Sequence, residues 1–198
     1  MQTIVARCLA LPAFLAISAA SALDTAIVER GPHHRRWQTV ELVRGSDGQS
    51  LPVTHDYVEL RTGLHYRSGN QWLESAARIE PAPHGARALC GHQKIEFERA
   101  LNHPRGAVSL ATAEGLRWRS RLLGLAYYDA ASGRDAILAT VQHSAGEILP
   151  PNQIIYRHAF DCLEADVLYT YDIAGLEQDV ILRERPPRRP CAPRSPGQ

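Results

Sequence analysis

From about Leu51 onward, apolar and polar residues alternate in short runs, with turn residues between the runs. A period of two is typical of β-strands, because successive side chains of a strand point to opposite faces of the sheet. Helical periodicity is hard to find in the same region. The pattern therefore predicts an all-β fold, an antiparallel β-sandwich-like domain built from consecutive hairpins over residues 51–187.

Turn residues predict where these hairpins reverse. Ser68-Gly69-Asn70 is one such position, since Gly and Asn both tolerate a positive φ. The other predicted turns are Pro83-His84-Gly85, Ala113-Glu114-Gly115, Asp129 to Asp135 and Asp172 to Gly175, and Pro150-Pro151-Asn152 is a predicted break between strands.

One long strand is predicted between Leu116 and Tyr128. Its apolar face carries Leu116, Trp118, Leu122, Ala126 and Tyr128, and its polar face carries Arg117, Arg119 and Arg121. We therefore expect Trp118 to lie in the core, so that Trp118→Asp unfolds the domain and Arg119→Asp does not. The three arginines could bind an anionic glycan or a phosphate, but a solvated strand face that resists edge pairing is the simpler interpretation.

The last hairpin follows the same alternation. One face of its first strand carries Val167, Tyr169 and Tyr171. The matching face of the returning strand carries Leu176, Gln178, Val180 and Leu182. Pro186-Pro187 ends the ladder, because proline cannot donate to it. Residues 188–198 are rich in Pro and Arg and predict a disordered tail.

Residues 1–22 have the pattern of a signal peptide. Arg7 supplies a positive charge, Leu9 to Ala19 is a short apolar run, and Ala20-Ser21-Ala22 has the small-x-small form of a cleavage site. A buried helix or a membrane anchor is the alternative, but the run is short for a bilayer and Pro12 interrupts it. The sequence thus predicts a bacterial protein that is secreted, periplasmic or on the cell surface, with no transmembrane segment after signal cleavage.

Residues 23–50, between the signal peptide and the β-rich region, are polar and uneven. Charged and imidazole side chains cluster at 33–36, and Gly45-Ser46-Asp47-Gly48 follows them. This composition predicts a surface linker or one frayed strand.

Composition limits the function classes. The 198 residues are 44% apolar and 22% charged, which suits one globular domain of ordinary core size. The formal charge is +1, and removal of Arg7 with the signal peptide brings it to zero. Without a basic excess, nucleic-acid binding is not expected.

Export would place the cysteines in an oxidising compartment, where disulfides form. Removal of Cys8 leaves Cys90, Cys162 and Cys191, an odd number for an oxidising compartment. A disulfide between Cys90 and Cys162 and a pair of buried small thiols are both consistent with the sequence.

Motifs for catalysis or cofactor binding are weak. Cys90-Gly91-His92, with His103 further on, supplies too few ligands for a zinc site, so no metal and no cofactor are predicted. Ser144 beside His143 lacks the context of an activated nucleophile. We predict no catalytic residues and assign no ligand-binding residues.

Carboxylates and aromatic side chains define an alternative function. The carboxylates are Asp161, Glu164, Asp166, Glu177 and Asp179, and the aromatics are Tyr66, Trp72, Trp118, Tyr127 and Tyr128. Together they could form a cleft that stacks and cleaves sugars, although polar strand faces and core packing explain them more simply. Convergence of Tyr66 or Trp72 with a carboxylate in an open cleft favours this alternative, and burial of both favours a structural role.

Six stretches carry a family resemblance: YVELRTGLHY at 57–66, QWLES at 71–75, LLGLAYYD at 122–129, PPNQIIY at 150–156, ADVLYTY at 165–171 and GLEQDVILRE at 175–184. They resemble the N-terminal region of very large secreted bacterial proteins of the Rhs or YD-repeat type and related giant surface proteins. The resemblance covers roughly residues 57–187. It implies an exported β-rich segment ahead of a long extracellular array, and it carries over no catalytic residues. Because those proteins continue well beyond the equivalent of Pro187, it also predicts a detached N-terminal module.

The sequence thus predicts a non-enzymatic, exported β domain with a structural role in a secreted or cell-surface assembly. The alternative is a carbohydrate-binding or glycan-hydrolysing domain with an aromatic and carboxylate cleft. Other domains of the assembly, or glycans, are the expected partners. The particular ligand and the oligomeric state are left open.

Overall fold

The structure, a computed structural model, describes residues 24–187. All regular elements in this range are β-strands with antiparallel pairing, so the predicted all-β class is confirmed. The strands are β1 (Asp24–Arg30), β2 (His34–Arg44), β3 (Ser50–Leu60), β4 (His65–Ser68), β5 (Gln71–Glu74), β6 (Glu80–Ala82), β7 (Gly85–Ala88), β8 (Lys94–Glu98), β9 (Val108–Ala111), β10 (Arg117–Ser120), β11 (Gly124–Asp129), β12 (Arg134–Thr140), β13 (Gly146–Leu149), β14 (Gln153–Tyr156), β15 (Ala165–Asp172) and β16 (Gly175–Leu182). The predicted signal peptide at 1–22 and the predicted tail at 188–198 lie outside the described residues.

Two of the sheets share one hydrophobic core. The larger has the strand order β10-β9-β8-β7-β6 and the smaller has the order β13-β14-β15-β16. The rings of Phe97 and Tyr169 lie 5.9 Å apart between centroids, and Tyr156 meets Tyr169 edge-on at 6.1 Å. The Tyr156 hydroxyl donates to the Glu98 carbonyl at 2.6 Å and so ties the two sheets together. Burial of these large rings stabilises this part of the chain.

The predicted turns all join consecutive strands. They lie between β4 and β5, β6 and β7, β9 and β10, β11 and β12, and β15 and β16. Pro150-Pro151, joined by a cis peptide bond, separates β13 from β14 as the sequence indicates. Each hairpin is therefore local in sequence, with register set by its turn.

In the last hairpin, the first strand, β15, is more buried than the second, β16. Val167, Tyr169 and Tyr171 on β15 are all buried, as predicted from their shared face. On β16, Leu176 and Val180 pack against the core, whereas Gln178 and Leu182 are exposed. The reason is position, because β15 lies inside its sheet and β16 lies at the edge.

The prediction of one amphipathic strand at 116–128 is wrong. This segment forms β10 and β11, which belong to two different sheets. Trp118 does point to the same side of its sheet as Leu110, its partner on β9. However, β10 is the edge strand and the second layer does not reach it, so Trp118 is 54% exposed. Leu116 and Tyr128, which were expected on the same buried face, are also exposed.

Residues 24–60 form a separate three-stranded sheet in the order β1-β2-β3. The expectation of a linker or a single frayed strand at 23–50 is therefore wrong, since two regular strands lie there. Strands β2 and β3 pair over their whole length, from His34 opposite Leu60 to Arg44 opposite Ser50. Backbone ladders do not need an apolar alternation, so this sheet left little trace in the hydrophobic pattern. Among residues 24–187 there is no helix that is long and apolar enough to cross a membrane.

Candidate functional site

A groove of about 430 Å³ lies on the outer face of the five-stranded sheet. Four adjacent strands contribute one side chain each to its floor. The register aligns these side chains in a row across the sheet: Arg87, Glu96, Ser109 and Arg119. The row faces away from the core, because the sequence neighbours Ile95 and Val108 point inward and are buried.

Two loops form the wall of the groove at one end. The first is the β6–β7 turn, whose His84 carbonyl accepts a hydrogen bond from the Arg99 backbone at 2.9 Å. The second is the loop between β8 and β9, which is closed by the hydrogen bond from Glu98 N to the Ala107 carbonyl at 2.8 Å. This loop brings His103 and Arg105 to the groove. The wall is thus held by backbone hydrogen bonds.

Glycines permit the close approach of these loops to the sheet. Gly85 has a φ of 150°, and a Cβ at this position would lie 2.1 Å from the Phe97 carbonyl oxygen. Gly106 has a φ of 97°, and a Cβ there would lie 2.6 Å from the Ser120 carbonyl oxygen. A side chain at either position would push the backbone of the groove apart.

The charges in the groove are mixed, with an excess of arginine. Glu98 lies between two bases, 3.8 Å from His103 Nδ1 and 4.0 Å from Arg105 Nη2. Arg87 and Arg119 are exposed, and the guanidinium group of neither makes a hydrogen bond or an ion pair with another residue of the range 24–187. The groove therefore offers two unpaired guanidinium groups to solvent.

Only one arginine of the predicted polar strand face lines the groove. Arg119 does so, whereas Arg117 lies on the same face of β10 but outside the groove, and Arg121 follows the end of the strand. Sequence reasoning missed Arg87 and Glu96. Their signal was present, because both occupy exposed positions in short alternating strands, but nothing in the sequence indicated which strands were neighbours.

The aromatic residues that the sequence singled out do not converge. Tyr66 and Trp72 are half-buried, with Lys94 Nζ 4.1 Å from the ring centre of Tyr66 and Arg67 5.7 Å from that of Trp72. Neither lines the groove. Trp118 and Tyr128 are exposed on different sheets, and the Tyr127 hydroxyl donates to the Pro187 carbonyl at 2.6 Å.

Two of the five singled-out carboxylates, Asp161 and Asp166, are held by hydrogen bonds from neighbouring segments. Asp161 accepts hydrogen bonds from the Thr140 backbone and hydroxyl at 2.9 and 2.7 Å. Asp166 is buried and accepts from Arg183 at 2.6 Å and from the His158 backbone at 2.9 Å. Burial opposes ionisation of Asp166, but these hydrogen bonds outweigh it and lower its pKa. The remaining three, Glu164, Glu177 and Asp179, are exposed.

Cys90 lies in a small polar cluster of its own. Arg78 Nη2 is 3.9 Å from its sulfur, and nearby Lys94 donates to the carbonyls of Leu89 and Gly91. Burial lowers the pKa of Lys94. The thiol is not joined to Cys162, so the structure has no disulfide between these positions.

The histidine and cysteine side chains of the weak motif do not form a cluster. His92 meets the ring of His33 at 4.9 Å, whereas His103 lies in the groove on another part of the molecule. Over residues 24–187 the structure brings together no group of three His, Cys, Asp or Glu side chains that could hold a metal ion.

A second exposed surface belongs to the sheet of β1, β2 and β3. At the end of this sheet away from the β2–β3 turn, Arg35 forms ion pairs of 2.6 Å with both Glu59 and Glu74. Arg35 also lies 4.9 Å from the ring centre of Trp37, and Trp37 stacks on Tyr57 at 5.9 Å. Hydrogen bonds from Arg35 and Trp37 lower the pKa of Glu59. Towards the β2–β3 turn the sheet carries large exposed apolar side chains, namely Leu42, Val43, Leu51 and Val53.

Comparison of the chain with models of protein families, with curated proteins and with solved structures finds no match.

Proposed function

We propose that the protein is a non-enzymatic, exported structural module of a secreted or cell-surface assembly, and that copies of it associate through the sheet of residues 24–60. The proposal rests on one observation. Strands β1, β2 and β3 contain no buried residue, although they carry several large apolar side chains. Exposed apolar patches of this kind mark interaction surfaces in folded proteins.

One face of this sheet presents four exposed apolar side chains. The β2–β3 register puts Val43 opposite Leu51 on that face, with Val53 next along β3. Tyr57 lies further along β3, separated from Val53 by His55, which is 3.7 Å from Glu41 on the same face. Leu51 and Tyr57 are 55% and 51% exposed. We call Val43, Leu51, Val53 and Tyr57 the association face. Covering of this face by another layer would remove these apolar side chains from water.

A second copy of the chain is the partner that we infer. Strands β2 and β3 have 11 residues each and span about 36 Å, and β1 has 7 residues and spans about 23 Å, so each face of the sheet measures roughly 450 Å². Two such faces packed about a two-fold axis cover roughly 900 Å², which is the size of a weak interface. The sheet face that carries the association face is therefore large enough only for a weak, reversible dimer.

A structural role is supported by how the polar side chains are used. Asp161 and Asp166, which were considered for acid and base chemistry, accept hydrogen bonds that hold neighbouring segments together. His65 is buried, and its Nδ1 lies 2.8 Å from the Gly31 carbonyl. Groups engaged in this way stabilise the fold. The resemblance to Rhs-type proteins, which implies an exported β-rich segment, belongs to the same proposal.

Association is tested by sedimentation of the purified protein over a range of concentrations. We expect a reversible dimer that is lost in Leu51→Lys, because the new charge lies on the association face. Leu42→Lys is the matched control, since Leu42 is 56% exposed on the opposite face of the same hairpin. A monomer at every concentration, or equal loss of the dimer in both variants, would contradict the proposal.

Export is tested by fusing residues 1–22 to a phosphatase that folds only in an oxidising compartment. We expect phosphatase activity from bacteria that carry this fusion, and none from the same fusion with Leu15→Arg, which interrupts the apolar run. Equal activity of the two fusions, or inactivity of both, would argue against a signal peptide.

A further inference from the structure

The groove on the five-stranded sheet has two arginines without partners. Arg87 and Arg119 stand at the two ends of its floor row, and neither guanidinium is paired with any residue of the described chain. Glu96 lies directly opposite Arg87, yet no ion pair joins them. A guanidinium presents several donors in a planar fork that fits a carboxylate. Each arginine can therefore take a carboxylate from a ligand.

The spacing of the two arginines sets the length of that ligand. Arg87 on β7 and Arg119 on β10 are separated by β8 and β9. Three strand spacings amount to roughly 14 Å between the backbones. A small anion cannot contact both guanidinium groups, whereas an extended molecule that lies across the strands can.

Glu96 and Ser109, between the arginines, restrict the chemistry further. A polyphosphate or a DNA strand carries no hydroxyl groups along its length and would place only negative charge against the Glu96 carboxylate, which is repulsive at short range. Hydroxyl groups fit this position, because a carboxylate accepts hydrogen bonds and a serine hydroxyl both donates and accepts. The row thus favours a ligand that carries free hydroxyl groups beside its anionic groups.

We propose that the groove binds an acidic oligosaccharide of the uronate type. Arg87 and Arg119 each hold one sugar carboxylate, and Glu96 and Ser109 bond the hydroxyls between them. The volume of about 430 Å³ lies in the usual range of ligand pockets. The site lies outside the sheet of residues 24–60, so the inference goes beyond the structural role proposed above and does not depend on it.

Calorimetric titration of the purified protein with oligogalacturonate tests the inference. We expect binding to oligogalacturonate and to an alginate oligosaccharide. The methyl ester of the first glycan should not bind, since it keeps the hydroxyls and loses the charges. Polyphosphate and single-stranded DNA of comparable length are the competing probes, and we expect neither to bind more tightly than the uronates.

Two arginines on one strand provide matched variants. Arg119→Ala should weaken oligogalacturonate binding about tenfold, because it removes a charge-assisted contact. Arg117→Ala removes an equal charge from the same face of β10, outside the groove, and should change binding less than about twofold, since an exposed charge that makes no contact is screened. Both side chains are exposed, so unchanged melting of the two variants checks that folding is intact.

Three results would overturn the inference. The first is no binding of either uronate oligosaccharide at millimolar concentration. The second is an equal loss of binding in Arg117→Ala and Arg119→Ala, which would indicate attraction by surface charge alone. The third is tighter binding of polyphosphate or DNA that is strengthened by Glu96→Gln, whereas this change should weaken a bound glycan. Failure here leaves the sedimentation test of association unaffected.

Discussion

Val167 on β15 is fully buried, whereas Val43 on β2 is 44% exposed, although both lie in regular antiparallel ladders. The difference between the two regions is the second layer. Strand β15 is covered by the five-stranded sheet through Phe97 and Tyr169, and nothing in residues 24–187 covers the association face. Hydrogen-bond ladders therefore form in both places, but only the sandwich gains the free energy of apolar burial.

The comparison separates local order from stability. In the sheet of residues 24–60, order comes from the β2–β3 ladder and from ion pairs such as Arg35 with Glu59. Exposed ion pairs add little to the free energy of unfolding. We therefore expect variants in the sandwich to change stability strongly, and variants in the three-stranded sheet to change association.

The largest expected effect is at the centre of the sandwich. Tyr169 is 1% exposed, and Tyr169→Ala should lower the free energy of unfolding by about 4 kcal/mol, because it leaves a cavity between the sheets. Chemical denaturation measures this loss. Tyr169→Phe is the control, since the Tyr169 hydroxyl is buried without a hydrogen-bond partner and its removal should cost no stability. A large loss in Tyr169→Phe would show that the hydroxyl is bonded after all.

The next largest effect is expected at the pair of Asp166 and Arg183. Arg183→Ala leaves the buried Asp166 carboxylate with fewer hydrogen bonds and should cost about 2 kcal/mol. The loss is smaller than for a fully buried pair, because the Arg183 side chain is 49% exposed. Denaturation of Arg183→Ala alongside Arg185→Ala measures this loss, because Arg185 is an exposed neighbour whose side chain makes no hydrogen bond or ion pair within residues 24–187. Equal stability of the two variants would contradict a role for the pair.

The same pair makes stability depend on pH. The pKa of Asp166 is below its ordinary value of 3.8 in the folded protein, so the unfolded chain binds more protons in this range. The contribution of Asp166 is present above pH 3.8 and is lost as the pH falls through the folded pKa. Acid titration of stability should therefore be shallower in Asp166→Asn than in the unchanged protein. The same dependence of stability on pH in Asp166→Asn and in the unchanged protein would refute this.

A small effect is expected for Trp118→Asp. The ring is 54% exposed at the edge of the five-stranded sheet, so the change should cost less than about 1 kcal/mol. Thermal melting of Trp118→Asp and Arg119→Asp should then give similar midpoints, contrary to the expectation from the sequence pattern. Unfolding of Trp118→Asp alone would mean that a layer covers this strand.

The smallest effect is expected in the three-stranded sheet. Leu42→Ala removes a side chain that is already 56% exposed and should change the free energy of unfolding by less than about 0.5 kcal/mol. The same denaturation assay checks it against Tyr169→Ala. A loss of unfolding free energy close to that of Tyr169→Ala would show that another surface covers Leu42 in solution.

The hairpins could be predicted from sequence because each is a local event. Turns such as Ser68-Gly69-Asn70 need particular backbone angles, and the shared face of Val167 and Tyr169 follows from the two-residue period of a strand. Sheet order has no such local signal. The alternation at Trp118 therefore indicated the correct face, but it could not indicate that β10 is an edge strand.

The candidate groove likewise depends partly on local sequence signals and partly on sheet order. By itself, the sequence determined the strand period, the turns and the exposed position of Arg119. Only the tertiary structure decided that Arg87 and Glu96 join Arg119 in one row, and that Tyr66 and Trp72 stay apart from it. The physical reason is range: turns and alternation depend on neighbouring residues, whereas the pairing of strands and the covering of a face depend on apolar contacts between distant parts of the chain.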